Sequence, residues 1–212
     1  MSQMRVDHII YAVDDLEAAG RQLYEEFGLA SIEGGRHPAW GTANRIVPLG
    51  TAYLELITVV DRDVAAFSDF GRPVMDAIAA GRHLVGWVVA TDDIDAISRR
   101  LGLDVSRGAR TRPDGTRLSW QLAGVARALK TGALPIFIEW GASPDLHPGK
   151  AEADHRLVPR GIPWIEVAGN EQALRSWLGD FDFEDFELRF VNGAPGLSAV
   201  AIGTGAHEIV LR

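Results

Sequence analysis

The sequence predicts an α+β chain built from repeated βαβββ units, and three observations carry that expectation. The N-terminal stretch passes from an apolar run at Val6–Val13 to a helical pattern and then to three short β-rich runs. The pattern then restarts: VGWVVATDDIDAISRRLG can be laid on HIIYAVDDLEAAGRQLYEEFG so that Asp14-Asp15-Leu16 meets Asp92-Asp93-Ile94 and Leu23 meets Leu101. Internal repetition of this kind is a direct signal of architecture. Both units also end on a strand-like run with a carboxylate among apolar residues, Glu55 in YLELI and Glu139 in IFIEW.

The elements follow in order. Asp14-Asp15 offers an N-cap to a helix whose apolar stripe is Leu16, Ala19, Leu23 and Phe27, and Gly28 offers its C-cap. Short strands are expected near 30–33, 45–49 and 53–59, completing a first unit over residues 1–60. Residues 61–82 read as a helical connector, with Pro73 suited to a first helical position and Gly81 to a stop. A second unit spans 83–141, with strands at 105–111, 117–122 and 135–140 and a hairpin turn at Pro113-Asp114-Gly115. Residues 142–161 lack periodicity and hold three prolines, which makes them a long connection, a lid or a unit boundary. A third, shortened unit is expected over 162–212.

Composition narrows the function classes. A chain of 212 residues with 47% hydrophobic content can bury a substantial core. The formal net charge is −8, and no run of Lys or Arg stands out, which argues against nucleic acid and anionic membranes as partners. No apolar run approaches the length needed to span a bilayer and the first residues do not read as a secretory signal, so a cytoplasmic location is expected. With no cysteine, disulfides, thiolate metal sites and a cysteine nucleophile are excluded. No nucleophile-elbow motif is present, which ranks hydrolase chemistry low.

The densest chemistry lies in GGRHPAWGTANRIVPLGTAYLELITVV, residues 34–60. Its first half reads as a glycine-punctuated loop, Gly34 to Asn44, that exposes Arg36, His37, Trp40, Thr42 and Asn44. In the second half, strand alternation points Glu55 away from Leu54 and Leu56, on the side of Tyr53 and Ile57. Around the second hairpin, Arg110, Arg112 and Arg117 offer planar forks for a carboxylate or phosphate. These residues suggest a pocket for a small anionic or amphipathic ligand. The bland alternatives are solvated arginines and a Trp40 that packs at a sheet edge. Trp87, Trp120 and Trp140 read as core, and His147 and His155, in the polar connection, as solvated.

With His8 on the first strand, the segments GGRHPAWGTANRIVPLGTAYLELI, RPDGTRLSWQLAG and PIFIEWGASPDLHPG resemble the glyoxalase-like branch of the vicinal oxygen chelate superfamily. The resemblance covers nearly the whole chain. It implies βαβββ modules forming curved mixed sheets around a cleft, and often a metal held by a His on a module's first strand and a Glu on its last. His8 and Glu55 are then the first two metal ligands, expected about 3–5 Å apart on one concave face, with Glu139 as a third. Zinc, manganese, iron(II), nickel or cobalt would suit such a set. The position matching His8 in the second unit is Gly86, a departure from the two-histidine pattern. Without a metal, His8 and Glu55 would simply hydrogen-bond inside the cleft.

The resemblance further implies a lyase or isomerase acting on a small oxygenated, anionic substrate, with Glu55 and His37 as catalytic candidates. Arg36, His37, Trp40, Thr42, Asn44, Arg112 and Arg117 would line the ligand site. The alternative is a metal-independent protein that binds or sequesters a small ligand. Either would act as a monomer or homodimer.

Overall fold

The computed structural model describes residues 4–111, 115–141, 143–179, 183, 186–205 and 207–212. β1 (Arg5–Ala12) leads into α1 (Leu16–Phe27), followed by β2 (Ile32–His37), β3 (Thr42–Pro48) and β4 (Tyr53–Val59). Helices α2 (Arg62–Ala66) and α3 (Gly71–Ala79) precede β5 (Leu84–Ala90), α4 (Ile94–Leu101), β6 (Val105–Thr111), β7 (Arg117–Ala123), α5 (Val125–Leu129) and β8 (Ile136–Trp140). The remaining elements are β9 (Trp164–Ala168), α6 (Glu171–Leu178), β10 (Glu187–Val191), β11 (Gly196–Gly203) and β12 (Glu208–Leu211).

The repeated helix start has a repeated physical cause. Asp15 Oδ1 accepts from Ala18 N at 2.9 Å, and Asp93 Oδ1 accepts from Ala96 N at 2.8 Å, each satisfying one orphan donor of a first turn. Both helices then stop at a left-handed glycine, Gly28 at φ 72° and Gly102 at φ 61°.

Eight strands form one sheet in the order β2-β3-β4-β1-β5-β8-β7-β6. The order is symmetric about the antiparallel β1–β5 pair, and in each half the first strand runs parallel to the last, β1 to β4 and β5 to β8. The sheet curls until its edge strands β2 and β6 come into contact, and Arg110 Nη1 on β6 donates to Gly34 O on β2. This is the curved mixed sheet of the vicinal oxygen chelate fold.

The curl separates two cores. On the outer face, Ile9, Leu54, Leu56, Trp87, Val89 and Phe137 pack with Leu23 of α1 and Ile94 and Ile97 of α4. On the inner face, Ile10, Ile57, Val88, Leu122 and Ile138 meet Phe70, Val74 and Ala77 near α3 and Ala128 and Leu129 of α5. The inter-module cleft is therefore largely filled by the connector and by α5, a helix with no marked signal in the sequence.

Strands β9 to β12 form a second sheet in the order β10-β9-β11-β12, with β9 parallel to β10. The succession of elements matches that of the first unit, but the pairing differs, because in the first two units the first strand lies parallel to the last. This sheet and α6 cover the outer face, where Trp177 stacks on Phe137 at 5.9 Å and donates Nε1–H to Pro135 O at 2.9 Å.

Two local expectations are corrected. Residues 34–44 are a hairpin of β2 and β3 with a short turn at 38–41, not a long exposed loop. Gly34 is needed because a Cβ there would collide with Asn44 Oδ1 and the Asn44 carbonyl. Pro73 is the third residue of α3 rather than its first. The connection after β8 holds two 3₁₀ turns, Pro144–Leu146 and Pro148–Lys150, and is pinned along the first half of the sheet: Gly50 N donates to Gly149 O, Arg156 N to Gly28 O, and Gly161 N to Leu49 O, all at 2.8 Å. The expected turn at Pro113-Asp114 lies outside the described residues. Among those described, no helix is long and apolar enough to cross a membrane.

Candidate active site

The site begins with neighbouring strands. β1 and β4 pair in parallel with Ile10 beside Glu55, and β3 lies on the other side of β4 with Ile46 opposite Glu55. Glu55 thus points inward with Tyr53 and Ile57, as alternation requires. Its Oε1 accepts from Asn44 Nδ2 at 2.5 Å, and its Oε2 lies 3.7 Å from His8 Nε2. Both residues are buried, with relative exposures of 5% each. The amide orientation of Asn44 follows from its partner, since a carboxylate can only accept. Asn44 Oδ1 is consequently left buried without a partner among the described residues.

His8 is held from behind. Its Nδ1 lies 2.7 Å from Asp7 Oδ1, and its ring stacks on Tyr53 with centroids 4.4 Å apart. Asp7 is fully buried, and its Oδ2 also accepts from Trp140 Nε1 at 2.9 Å and faces His147 Nε2 at 3.0 Å. Alternation alone would send Asp7 to the opposite side from His8. The β1–β5 register shifts between Val6 and His8, a bulge that leaves Asp7 unpaired and turns its carboxylate inward. The same bulge separates Val6, which packs in the outer core, from Ile10 in the inner one.

Around this pair lie His37, Trp40, Phe70, Val88, Arg110, Trp120, Ile138 and Trp140. Trp40 stacks on Phe70 at 4.5 Å, and Trp120 lies 5.6 Å from Trp140. The cavity left is only about 30 Å³, room for one or two waters. Trp140 also borders an outer cleft of about 330 Å³ lined by Arg5, Thr51, Thr91, Ser143, His147 and Lys150 among others.

Burial sets the charges here. It pushes the Asp7 carboxyl up, but the hydrogen bonds from His147 and His8 outweigh it and hold the group well below the usual carboxylate range. Burial, with the Asp7 and Glu55 charges, keeps the Tyr53 phenol protonated far beyond its ordinary range. For His37, burial lowers the imidazole pKa; Glu55 opposes this while Arg110 and His8 add to it. His37 therefore sits neutral, its Nδ1 3.1 Å from Thr42 Oγ1. Because the unfolded chain takes up a proton at this residue at higher pH than the folded one, stability from His37 is present above its ordinary pKa of 6.5 and declines as the pH falls below it. Urea unfolding as a function of pH should show that decline, and His37→Gln should flatten it.

Of the residues expected at the site, His8, His37, Trp40, Asn44 and Glu55 meet at the inner cavity. Thr42 is buried behind them as the partner of His37. Arg36 is exposed, one residue out of phase with His37 on β2. Arg117 is exposed on the outer face of β7 with Ser119 and Gln121; the hairpin arginine that reaches the cavity is Arg110. Arg112 lies outside the described residues. Glu139 alternates away from Ile138 and Trp140, and its Oε2 accepts from Ile94 N at 2.8 Å at the start of α4. His147, read as solvated, is buried, and His155 Nδ1 accepts from Ala30 N at 3.0 Å. Asp7 was not singled out from the sequence; its only signal was adjacency to His8.

A resident metal does not fit this donor set. His8 Nε2 and Glu55 Oε2 are two candidate ligands, and with Glu139 on the other face no third joins them among the described residues. Among the described residues, no group of three or more His, Cys, Asp or Glu is arranged to hold a metal ion. A Cβ at Gly86 would lie 2.9 Å from Leu129 Cδ2, so α5 fills the space that a second histidine would need. Dialysed protein is expected to retain substoichiometric transition metal by elemental analysis, whereas a full equivalent lost in His8→Ala would restore the metal-ligand reading.

A symmetric pair of βαβββ halves curled around a buried His and Glu defines the vicinal oxygen chelate class. The sequence model of the glyoxalase-like domain matches residues 6–180, and the chain belongs to that family. No protein of curated function matches it. Among solved structures, a hypothetical protein from Staphylococcus aureus is similar at 18% identity and a TM-score of 0.73, over 92% of this chain and 88% of that one. Methylmalonyl-CoA epimerase from Mycobacterium tuberculosis is similar at 20% identity over 67% of this chain and 90% of its own, with a TM-score of 0.46. The Streptomyces coelicolor methylmalonyl-CoA epimerase in complex with 2-nitronate-propionyl-CoA is similar at 19% identity over 65% and 98%, with a TM-score of 0.48.

Proposed function

We propose that the chain is an enzyme of the isomerase or lyase type that moves a proton at a carbon next to a carbonyl in a small oxygenated, anionic substrate. The observation that supports this best is the facing pair His8 Nε2 and Glu55 Oε2, 3.7 Å apart in a small cavity walled by aromatic rings. That separation is too long for a direct hydrogen bond and short enough for both atoms to address one reacting group. Glu55 takes the proton as a carboxylate, leaving an enolate; the proton returns to carbon from Glu55 directly, or from His8 Nε2 once Glu55 has passed it there. Arg110, anchored on Gly34 O, adds a fixed positive charge for the oxygen on which negative charge develops. Neutral His37 offers a second polar contact without competing charge.

The cavity holds only the reacting end of such a substrate, and the outer cleft beyond Trp140 takes the remainder. Incubation with a panel of small 2-oxo and 3-oxo acids in deuterated water, followed by proton NMR, tests the reading. Enzyme-dependent exchange of an α-proton is expected. Saturable binding with no exchange for every binder would favour instead a protein that sequesters its ligand.

A further inference from the structure

Asp7 is a buried acid that proton transfer between Glu55, His8 and a substrate does not itself require. Three N–H groups converge on it, from His8, Trp140 and His147, and a bulge in a central strand is spent on turning it inward. Their hydrogen positions follow from the partners. Trp140 Nε1 can only donate. His147 Nδ1 accepts from Gly149 N at 3.1 Å, so in the neutral ring the proton is on Nε2 and points at Asp7 Oδ2. With Trp140 and His147 both donating to Oδ2, the Asp7 carboxylate faces His8 only as an acceptor, so His8 Nδ1 must carry a proton toward Oδ1.

We propose that Asp7 is a positioning residue that holds a proton on His8 Nδ1 and turns the Nε2 edge of the ring toward Glu55. The proposal rests on reading Nε2 as the working atom of His8. Trp140 and His147 act one step further back: they fix Oδ2, so the carboxylate cannot rotate away from the imidazole. His147 arrives from the pinned connection after β8, which gives that segment a part in organising the site.

Asp7→Asn makes a sharp test. Trp140 and His147 both donate toward the Oδ2 position, so the Asn carbonyl must sit there and its NH₂ must face His8 Nδ1. An NH₂ group offers only donors, which forces Nδ1 to become an acceptor and moves the His8 proton to Nε2, the inverted tautomer that a carboxylate-to-amide change installs beside a histidine. Two-bond proton–nitrogen correlation spectra of ¹⁵N-histidine-labelled protein read this directly, with the His8 signals assigned by their loss in His8→Gln. The wild-type chain should show His8 protonated on Nδ1, and Asp7→Asn should show loss of that form in favour of Nε2–H. A wild-type His8 protonated on Nε2, or a folded Asp7→Asn with its tautomer unchanged, overturns the proposal. If Asp7→Asn does not fold, the wild-type spectrum still decides. Failure of the exchange assay with the expected tautomer present would count against the proton-transfer reading alone.

Discussion

Glu55→Gln is expected to slow α-proton exchange by about 10²–10⁴-fold, the usual contribution of a positioned general acid–base group. The substitution should leave the fold intact. A Gln carbonyl can still accept from Asn44 Nδ2, and its NH₂ would face His8 Nε2, which accepts in the Nδ1–H tautomer. What is lost is the ability to take a proton. Binding measured by thermal shift should therefore persist while exchange falls. An unchanged exchange rate would remove Glu55 from the chemistry, whereas a rate that fell only in step with lost binding would recast it as a ligand contact.

Asp7→Ala is expected to lower unfolding stability by about 3–5 kcal/mol, the range for removing one member of a buried charged pair. Here the removal strands three donors, two on buried histidines and one on half-buried Trp140, and a buried unsatisfied donor costs about 1–3 kcal/mol, with less than full additivity because they share one acceptor. Urea titration at neutral pH checks it. The acid dependence supplies a second signature. Since the folded state holds the Asp7 pKa below its ordinary value of 3.8, its stabilisation is present above that value and is lost as the pH falls below it. The gap between wild type and Asp7→Ala should accordingly narrow in acid. A gap under about 1 kcal/mol at neutral pH would mean that water replaces the carboxylate, and with it that Asp7 organises little.

Several inner-site residues were legible in the sequence because strand alternation and element order are local. Glu55 between Leu54 and Leu56 could only point away from the outer core, and the repeated Asp-capped helix located β1 and β5 as equivalent strands. The misreadings share a cause of another kind. Arg36 and Arg117 were chosen for chemistry, but the phase of β2 and β7 sends them outward and gives the inner position to Arg110. The Glu139 assignment failed in the same way: the strand ending at Trp140 puts the indole inside and the carboxylate against α4.

By itself the sequence determined the succession of strands and helices, the two-fold repeat, and the inward aim of Glu55, because capping, turn glycines and alternation act within a few residues. Only the tertiary structure decided which polar groups share one dielectric environment. The bulge at Asp7 and the return of the chain that buries His147 bring together side chains 140 positions apart, and Leu129 closes the space beside Gly86. Such contacts depend on how sheet curvature and helix packing fill the inner volume. A buried donor needs an acceptor wherever in the chain that acceptor lies, so no local pattern records the pairing.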